Sequence, residues 1–577
     1  MTRRRWMMLM LAGLALAAVV LPAVAQAGRH PDRPSRVLII MLDQARPDTI
    51  ERYGMKNVQA LQKKGTSFPN ALVGHMAAET VISHNVITSG QFPKHMGWSN
   101  EVHRDVDGVL GTPGDFYVTS SMSCNQYKAL IEHGGYKKLP DYLDDRFGET
   151  SKFVTIAQKR SAVCPAGPTS SGAGDGTATD PEDIILQIRG SSATTCDGLS
   201  GWRSPEDANP PAPDYFDLAT PCNRWWTWQG SPAYGTGSIL PARIYPLEGN
   251  RFVPGRDPAH LGGDVWSADA AIRVIQNDPG WRGMLVSLGG IDKMGHMWGP
   301  EDEETGPSGS DQEMRHMPFI AKTADEQVGK MVDALKTRGV LDETLVVITA
   351  DHAAQTGREF NGRFDTFPPG VPDMNGCDPA TGSTGLRSDC NWYYGRDADE
   401  VYLDPSPAIA GLRDALGGNL RFSYQDGHIG TWLSDQSRAS REEAAKALLD
   451  LPGVIASYRL NDAEDNYRLA GVNRMELREL LWFLRHGNEL VDTMAAPYGP
   501  DAVALLKTDV TYGVMGDHGG HNRIVQNIPM VFSGPGVGSK DSNREIRLVD
   551  VLPTILDTMG IDYDKRDLDG RAVRLGR

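Results

Sequence analysis

Three apolar runs that each lead to an aspartate constrain the fold of this 577-residue chain more than any other feature. The runs cover residues 37–42, 284–288 and 344–349, and Asp43, Asp292 and Asp351 follow them directly or after a short turn. A run without polar alternation is typical of a central parallel strand, because both faces of such a strand are buried. Ligands of open α/β sheets bind outside the carboxyl ends of these strands. The three aspartates are therefore candidate site residues on architecture alone.

Helical patterns alternate with these strands, which predicts an α/β fold with a mostly parallel central sheet flanked by helices. The helices are predicted at about 57–65, 138–146, 268–277, 319–338 and 551–559, and further strands at 153–157 and 529–533. Two stretches interrupt the pattern, at about 165–260 and 360–510. We interpret both as irregular insertions into one domain that spans residues 28–577. The second is expected to hold a strand at 401–403 and helices at about 440–450 and 474–488.

The N-terminus carries an export signal of its own. Arginines at positions 3–5 precede an apolar run over residues 6–24, which closes on the sequence AQA. A basic start, an apolar centre and a small-residue end predict a signal peptide over residues 1–27, hence an exported, periplasmic or secreted protein. The arginines also fit twin-arginine export, and a retained membrane anchor is the alternative. No other apolar run is long enough to span a bilayer.

The charge of the chain limits its partners. The formal net charge of −16 becomes −19 without residues 1–27, since these carry three arginines and no acids. A field of this sign excludes binding of duplex nucleic acid through a broad basic surface. It does not exclude a small anionic substrate, because bound metal ions reverse the sign locally. The oligomeric state stays open.

Six cysteines indicate disulfides in an exported protein. They stand at positions 124, 164, 196, 222, 377 and 390, and none forms a CxxC pair. The number allows up to three bridges and 15 pairings. Cys377 with Cys390 is the natural local pair, and we interpret all six as structural because none lies beside the motifs described below.

Residues 79–97 place many small polar groups among apolar ones and predict a short buried helix that begins at or near Thr80. A hydroxyl at this position faces unpaired backbone N–H groups and the positive end of the helix dipole, a favourable place to attack or hold an anion. The simpler interpretation is that Thr80 caps the helix. The choice between them depends on the rest of the chain.

Acids and histidines recur at the predicted strand ends. The set comprises Asp43, Asp292, His296, Asp351, His352 and His518. Three carboxylates and three imidazoles at one edge of a sheet predict a site for two divalent metal ions. Mixed oxygen and nitrogen ligands suit Zn²⁺ best, with manganese and iron as alternatives. The histidines at positions 75, 84, 95, 316 and 428 are interpreted as ordinary polar residues.

Several motifs occur in a specific order along the chain. They are VLIIMLDQARPD at 37–48, Thr80 with His84, Gly90 and Pro93, Gly97 with Asn100, DKMGHMWGP at 292–300, TADHA at 349–353, GDHGGHN at 516–522 and RLVDVLPTILDTMG at 547–560. This set resembles the alkaline phosphatase superfamily, in particular its type I phosphodiesterase/nucleotide pyrophosphatase branch and close phosphomonoesterase relatives with a threonine nucleophile. The resemblance covers most of residues 35–575. Ala353 departs from it, because a glycine usually follows the Asp-His pair.

The resemblance implies a role for each of these residues. One zinc ion would take Asp43, Asp351, His352 and the Thr80 oxygen, and the other Asp292, His296 and His518, with His521 as the alternative to His518. It also implies an exported hydrolase of small phosphoric esters. Thr80 would be the nucleophile and form a phospho-threonine intermediate, and Asn100 would hold a phosphoryl oxygen.

Neighbouring branches of the superfamily differ in the residues that surround the nucleophile. The sequence TVISH at 80–84 lacks the C/S-x-P-x-R segment of type I sulfatases and the serine of alkaline phosphatases proper. Monoesterase relatives grip the terminal phosphate with a K-x-R pair. Here Arg160 fits the arginine position, whereas Gln158 stands where the lysine is expected unless Lys159 takes its place by a one-residue slip. Lys159 and Arg160 are thus candidate substrate-binding residues. Phosphodiesterase, phosphomonoesterase and a non-catalytic metal-binding module of the same fold stay open.

Overall fold

The computed structural model describes residues 33–167, 183–188, 202–203, 215, 261–292, 295, 300, 316–355, 407–508, 510 and 516–576. The predicted signal peptide, the predicted strand at 401–403, His296 and the Cys377–Cys390 pair lie outside these described residues. Within them, no helix is long and apolar enough to cross a membrane.

A nine-stranded sheet forms the centre of the molecule, with strand order β16-β2-β15-β9-β1-β8-β5-β6-β7. Its strands are β1 (Arg36–Leu42), β2 (Thr66–Ser67), β5 (Lys152–Ala157), β6 (Ile184–Ile188), β7 (Trp202–Arg203), β8 (Trp281–Leu288), β9 (Thr344–Thr349), β15 (Met530–Ser533) and β16 (Lys540–Asp541). The five central neighbours β9, β1, β8, β5 and β6 run parallel. All seven residues of β1 are buried, as expected for a strand covered on both faces. The predicted α/β class and its mostly parallel sheet are confirmed.

The helices that the sequence predicts at the sheet are all present, and the structure adds helices that the sequence did not indicate. They are α1 (Pro47–Arg52), α2 (Lys56–Lys64), α3 (Thr80–Ser89), α4 (Cys124–Gly134), α5 (Leu139–Phe147), α6 (Arg160–Ala166), α7 (Leu261–Asn277), α8 (His316–Arg338), α9 (Pro407–Leu416), α10 (Arg438–Leu449), α11 (Leu477–Asp492), α12 (Arg523–Gln526) and α13 (Val551–Met559). Helices α7 and α8 pack on each other, and α2 packs on α8. Helix α3 is buried along its whole length and ends at Gly90 in the left-handed conformation, with φ of 64°. It therefore forms part of the core.

A second sheet occupies much of the stretch that the sequence indicated as an irregular insertion. Its antiparallel strands are β10 (Leu420–Gln425), β11 (His428–Leu433), β12 (Val454–Leu460), β13 (Tyr467–Val472) and β14 (Ala502–Leu506), in the order β10-β11-β14-β12-β13. A smaller hairpin pairs β3 (Val102–Asp105) with β4 (Asp115–Val118). The predicted helices at 440–450 and 474–488 are present as α10 and α11. The interpretation as an irregular stretch was wrong here. Strands β10 and β11 form a hairpin around Asp426-Gly427, a dipeptide typical of such turns, and β12 and β13 form a second hairpin. Only the pairing of β14 with β11 and β12 joins distant segments and leaves no local pattern.

A disulfide joins Cys124, at the start of α4, to Cys164 in α6, with 5.1 Å between the Cα atoms. These residues are 40 apart in sequence, so the bridge is not local. It fixes α6, whose first residue follows Lys159, against the neighbouring helix.

Candidate active site

The carboxyl ends of three neighbouring strands bring the predicted aspartates together. Leu42 at the end of β1 pairs with Leu288 at the end of β8. Met41 pairs with Thr349 at the end of β9. The loops after the three strands therefore leave the same edge of the sheet, and they carry the buried side chains of Asp43, Asp292 and Asp351.

Two groups of side chains have the spacing of a metal site. The first consists of Asp43, Asp351 and His352, the second of Asp292, His352 and His518, and the ligand atoms of each group lie within 4.8 Å of one another. His352 Nε2 lies 3.4 Å from Asp43 Oδ1 and 3.5 Å from Asp351 Oδ2. Its ring stacks on that of His518 with 3.7 Å between the centroids. His352 is therefore common to both groups.

Thr80 lies between these groups. Its Oγ1 atom is 3.4 Å from His352 Nε2 and accepts a hydrogen bond of 3.3 Å from Lys159 Nζ. The N-cap of α3 is Glu79, so Thr80 is the first helical residue and its hydroxyl is not the cap. Ser83 donates the first backbone hydrogen bond within this turn, to the Glu79 carbonyl. The N–H groups before Ser83 have no carbonyl partner within the helix and point out of its N-terminal end.

Lys159 connects the two groups through their carboxylates. Its Nζ atom lies 2.8 Å from Asp43 Oδ2 and 2.6 Å from Asp292 Oδ2. Burial lowers the pKa of this ammonium, but the charges of Asp292 and Asp43 outweigh burial and raise the pKa above its usual value. Lys159 follows β5 and precedes α6, which Arg160 begins. The structure thus places Lys159, and not Gln158, beside the Thr80 hydroxyl.

The electrostatics of the site call for more positive charge than Lys159 provides. Burial, then Asp292 and Asp351, raise the pKa of Asp43 to about 8. Burial also raises the pKa of Asp351 to about 6 and lowers the pKa of His352. Three buried carboxylates beside one ammonium leave a surplus of negative charge, which divalent cations neutralise. The donor set of carboxylates and neutral imidazoles fits Zn²⁺ in kind and in spacing.

Gln44, which the sequence did not indicate as a site residue, braces both groups. Its Nε2 atom donates to Asp292 Oδ1 at 3.3 Å and to the Gly516 carbonyl at 2.7 Å. Its backbone N–H donates to Asp351 Oδ1 at 3.2 Å. Gln44 has a φ of 70°, a conformation that is uncommon for a residue with a side chain. This backbone conformation is the feature that sets Gln44 apart, and the sequence does not reveal it.

Two histidines interpreted as ordinary residues contact the site. His84 Nδ1 lies 2.8 Å from the Thr80 carbonyl and 3.6 Å from Asp351 Oδ2. His428 Nε2 lies 2.9 Å from Asn100 Nδ2, so the side-chain amide of Asn100 faces His428 in the second sheet. Burial lowers the pKa of His84 to about 3 and that of His428 to about 4, which keeps both imidazoles neutral.

The second sheet also contributes an acid beside His518. Asp426 Oδ2 lies 3.6 Å from His518 Nδ1, on the ring edge opposite the one that faces Asp292. Burial, and the carboxylates of Asp517 and Glu79, raise the pKa of Asp426. A carboxylate behind a metal-binding imidazole fixes the orientation of its ring. Asp426 is a further residue that the sequence did not indicate.

The three histidines predicted as ligands of the second ion lie in different places. His518 lies beside Asp292 and His352, whereas His521 is in neither group of potential ligands that the described residues form. His521 is instead held through its carbonyl, which accepts a 2.7 Å hydrogen bond from Trp482 Nε1. His296 lies outside the described residues, and its neighbour Gly295 packs against the Gln44 side chain.

Comparison with known proteins shows what this chain resembles as a whole. A model of the type I phosphodiesterase/nucleotide pyrophosphatase family matches residues 37–110 and 260–437. The alkaline phosphatase PhoD of Zymomonas mobilis is 22% identical over 594 residues, which cover 96% of this chain and 90% of that protein. The crystal structure of wild-type alkaline phosphatase PafA superposes with a TM-score of 0.61 at 16% identity, covering 94% of this chain and 99% of PafA. Murine ectonucleotide pyrophosphatase/phosphodiesterase 5 gives a TM-score of 0.50 at 10% identity, covering 93% and 97%. These matches confirm the predicted resemblance and fold.

Proposed function

We propose that this chain, which has the alkaline-phosphatase fold and resembles the type I phosphodiesterase/nucleotide pyrophosphatase family, is a metal-dependent phosphoric ester hydrolase with Thr80 as its nucleophile. One observation carries the proposal. The Thr80 hydroxyl lies within 3.4 Å of both His352 Nε2 and Lys159 Nζ, at the junction of two groups of potential metal ligands. A hydroxyl that only stabilises a helix has no need of these neighbours.

The side chains have separable roles in this reaction. Thr80 Oγ1 bonds to phosphorus while the bond from phosphorus to the leaving oxygen breaks, and water then hydrolyses the phospho-threonine. The Lys159 ammonium beside Oγ1 favours its alkoxide form. The backbone N–H groups at the start of α3 stabilise negative charge on the phosphoryl group. Asn100, held by His428, is proposed to bind a phosphoryl oxygen.

The two ligand groups would hold the metal ions. Asp43, Asp351 and His352 suit one ion, and Asp292 with His518 suit the other, together with His296 as the sequence predicted. Zinc bound there supplies Lewis-acid stabilisation of the phosphoryl oxygens. Gln44 and Asp426 hold these ligands in place.

Substitution of Thr80 tests the nucleophile. Thr80→Ala should lower kcat on an aryl phosphate by about 10³-fold or more, because the attacking atom is removed. Thr88→Ala is the matched control, since Thr88 lies in the same helix and its hydroxyl only donates to backbone carbonyls. Zinc content should stay above half of the wild-type value in both variants. Full activity of Thr80→Ala would refute the mechanism, and a protein that binds zinc but hydrolyses no phosphoric ester would be the non-catalytic module.

Preference for phosphate monoesters is a second proposal, favoured by the position of Lys159. An ammonium at the nucleophile can neutralise the additional charge that a monoester carries on its terminal oxygens. A side-by-side rate comparison on an aryl phosphate monoester and a diester tests it. A higher kcat/KM for the diester would assign the chain to phosphodiesterases instead.

Export completes the proposed function. The basic and apolar residues of positions 1–27 support a signal peptide, and the remaining 28–577 would be one domain. The mass of the protein recovered from the exporting cell checks both the cleavage after Ala27 and the integrity of the rest of the chain. An uncleaved chain held in the membrane fraction would support the anchor instead.

A further inference from the structure

One short stretch of the described chain holds all of its exposed large apolar side chains. They are Leu469, Val472, Leu477, Leu481 and Leu484, with 47–71% of each residue exposed. Scattered exposed leucines are normal on a soluble protein, but five within one stretch mark an interaction surface. The first two lie on the edge strand β13 and the other three on α11, which packs against β13. We call residues 468–485 the leucine face.

The helix places its leucines in a protruding row. Leu477, Leu481 and Leu484 are spaced by four and three residues, so they share one side of α11. Each is at least 60% exposed, so the side chains stand out from the surface. The opposite side of α11 is buried, including Phe483 and Leu490. Protruding apolar side chains can insert into a lipid surface. A peptide ligand would instead need a groove to bind in.

The charge around the leucine face is opposite to that of the whole chain. Arg468, Arg474, Arg478 and Arg485 are exposed, against Glu476 and Glu479 in the same stretch, and Arg485 pairs with Glu545 at 3.1 Å. The stretch is thus net positive, while the chain as a whole carries −16. An apolar row beside arginines is complementary to a surface that is apolar inside and anionic outside.

A second copy of this chain matches the face less well. Arg478 and Arg485 each follow a leucine of the row by one position, so both lie on the same side of it. Two antiparallel α11 helices related by a two-fold axis bring equal sides together. Arg478 of each copy would then face Arg485 of the other. Like charges would still meet along the contact, because the solvent-exposed pair of Arg485 with Glu545 offsets the charge of Arg485 only in part.

We propose that the leucine face docks this protein on a membrane surface that contains anionic lipid. Its leucines would enter the boundary between headgroups and acyl chains, and its arginines would pair with lipid phosphates. This binding is peripheral and independent of the hydrolytic activity proposed above. It is also independent of residues 1–27, whose predicted apolar run is the same in every variant below.

The test uses the full chain and its variant Leu477→Ser/Leu481→Ser/Leu484→Ser. Wild type should sediment with vesicles of phosphatidylcholine and phosphatidylglycerol more than with phosphatidylcholine alone, and less at high ionic strength. The variant should lose at least about tenfold in partitioning, because its apolar row is gone. Arg478→Glu should also weaken binding. Arg421→Glu is its matched control, since Arg421 is exposed on β10, the opposite edge of the same sheet.

Two further measurements separate the alternatives. Hydrogen exchange of residues 468–485 should slow when anionic vesicles are added, a local response that the predicted signal peptide does not produce. Phosphoric ester hydrolysis and the thermal midpoint of the triple variant should match wild type, which shows that it folds. Equal sedimentation of wild type and the triple variant would overturn the proposal. So would a wild-type dimer in size-exclusion chromatography that the triple variant dissolves, because a second copy would then cover the face.

Discussion

A single ammonium links carboxylates that are proposed to hold different metal ions. Lys159 reaches Asp43, Asp292 and the Thr80 hydroxyl at once, all within 3.3 Å of its Nζ atom. Lys159 is therefore the residue that we propose distinguishes substrates by the charge of their phosphate group.

Replacement of this lysine should act mainly on monoesters. Lys159→Ala is expected to lower kcat/KM by about 10²–10³-fold for an aryl phosphate monoester, the usual cost of removing one stabilising donor. A diester carries one negative charge fewer and should lose less than about tenfold. Steady-state rates on both substrates measure the split. Lys152→Ala, at the other end of β5, is the control, because Lys152 pairs with Asp278 away from the site. Equal losses on both substrates would contradict the role in discrimination.

The sequence predicted the side chains that sit at strand ends and missed those that brace them. Asp43, Asp351 and His352 follow buried strands, so the parallel topology alone brings them together. Gln44 and Asp426 have no such mark. Their contacts depend on loop conformations and on the approach of segments that are distant in the chain, which no local pattern records.

At the level of elements, α3 shows how polar residues can fill a buried helix. Ser83 Oγ lies 3.2 Å from His75 Nε2, and Asn85 Nδ2 donates to Tyr136 Oη at 2.8 Å. Hydrogen bonds of this kind offset the cost of burying polar groups. The sequence predicted the helix and its burial from its apolar residues, but the partners of its polar residues lie on other elements.

The end of α3 depends on a glycine. Gly90 has a φ of 64°, and an added Cβ atom would come within 3.1 Å of Leu568 and 3.3 Å of Leu552. Gly90→Ala should therefore reduce the free energy of unfolding by about 1–2 kcal/mol. Gly411→Ala is the matched control, because Gly411 lies inside α9 with open space around it. It should be neutral or stabilise by up to ~1 kcal/mol. Urea unfolding of both variants measures the difference, and equal effects would refute the argument.

For the whole molecule, the second sheet is part of the site. Its strand β11 supplies His428 to Asn100, and the turn before it supplies Asp426 to His518. The sequence marked this region only as an insertion, since antiparallel pairing of β11 with β14 joins residues that are far apart in the chain. The parallel sheet could be predicted because β1, β5, β8 and β9 are each recognisable alone, whereas its fifth parallel strand, β6, lies in the stretch that the sequence indicated as the first irregular insertion.

Buried neutral histidines distributed over the molecule should make it sensitive to acid. Burial lowers the pKa of His75 to about 3 and the pKa values of His103 and His428 to about 4. An unfolded chain binds these protons near pH 6.5, before the folded one does. Their contribution to stability is therefore complete above pH 6.5 and falls as the pH drops towards 4, by on the order of 1 kcal/mol per pH unit for each histidine.

Urea unfolding of wild type and His103→Gln between pH 7.5 and 4.5, both with chelator, isolates one such contribution. The variant should show a shallower decline of the unfolding free energy in this range. An identical slope in the two proteins would show that His103 does not contribute to the loss of stability in acid.

The candidate site draws its residues from almost the whole length of the chain, which determines when during synthesis and folding the site can form. Its ligands run from Asp43 to His518, and Gln44 contacts Gly516, so the site closes only when almost the entire chain has been made and folded. Contacts between such distant segments form late, because closing a long loop costs conformational entropy before the contacts can stabilise the fold. A nascent or partly translocated chain thus offers no complete metal site. Metal loading, and with it the proposed activity, would be deferred to the finished protein.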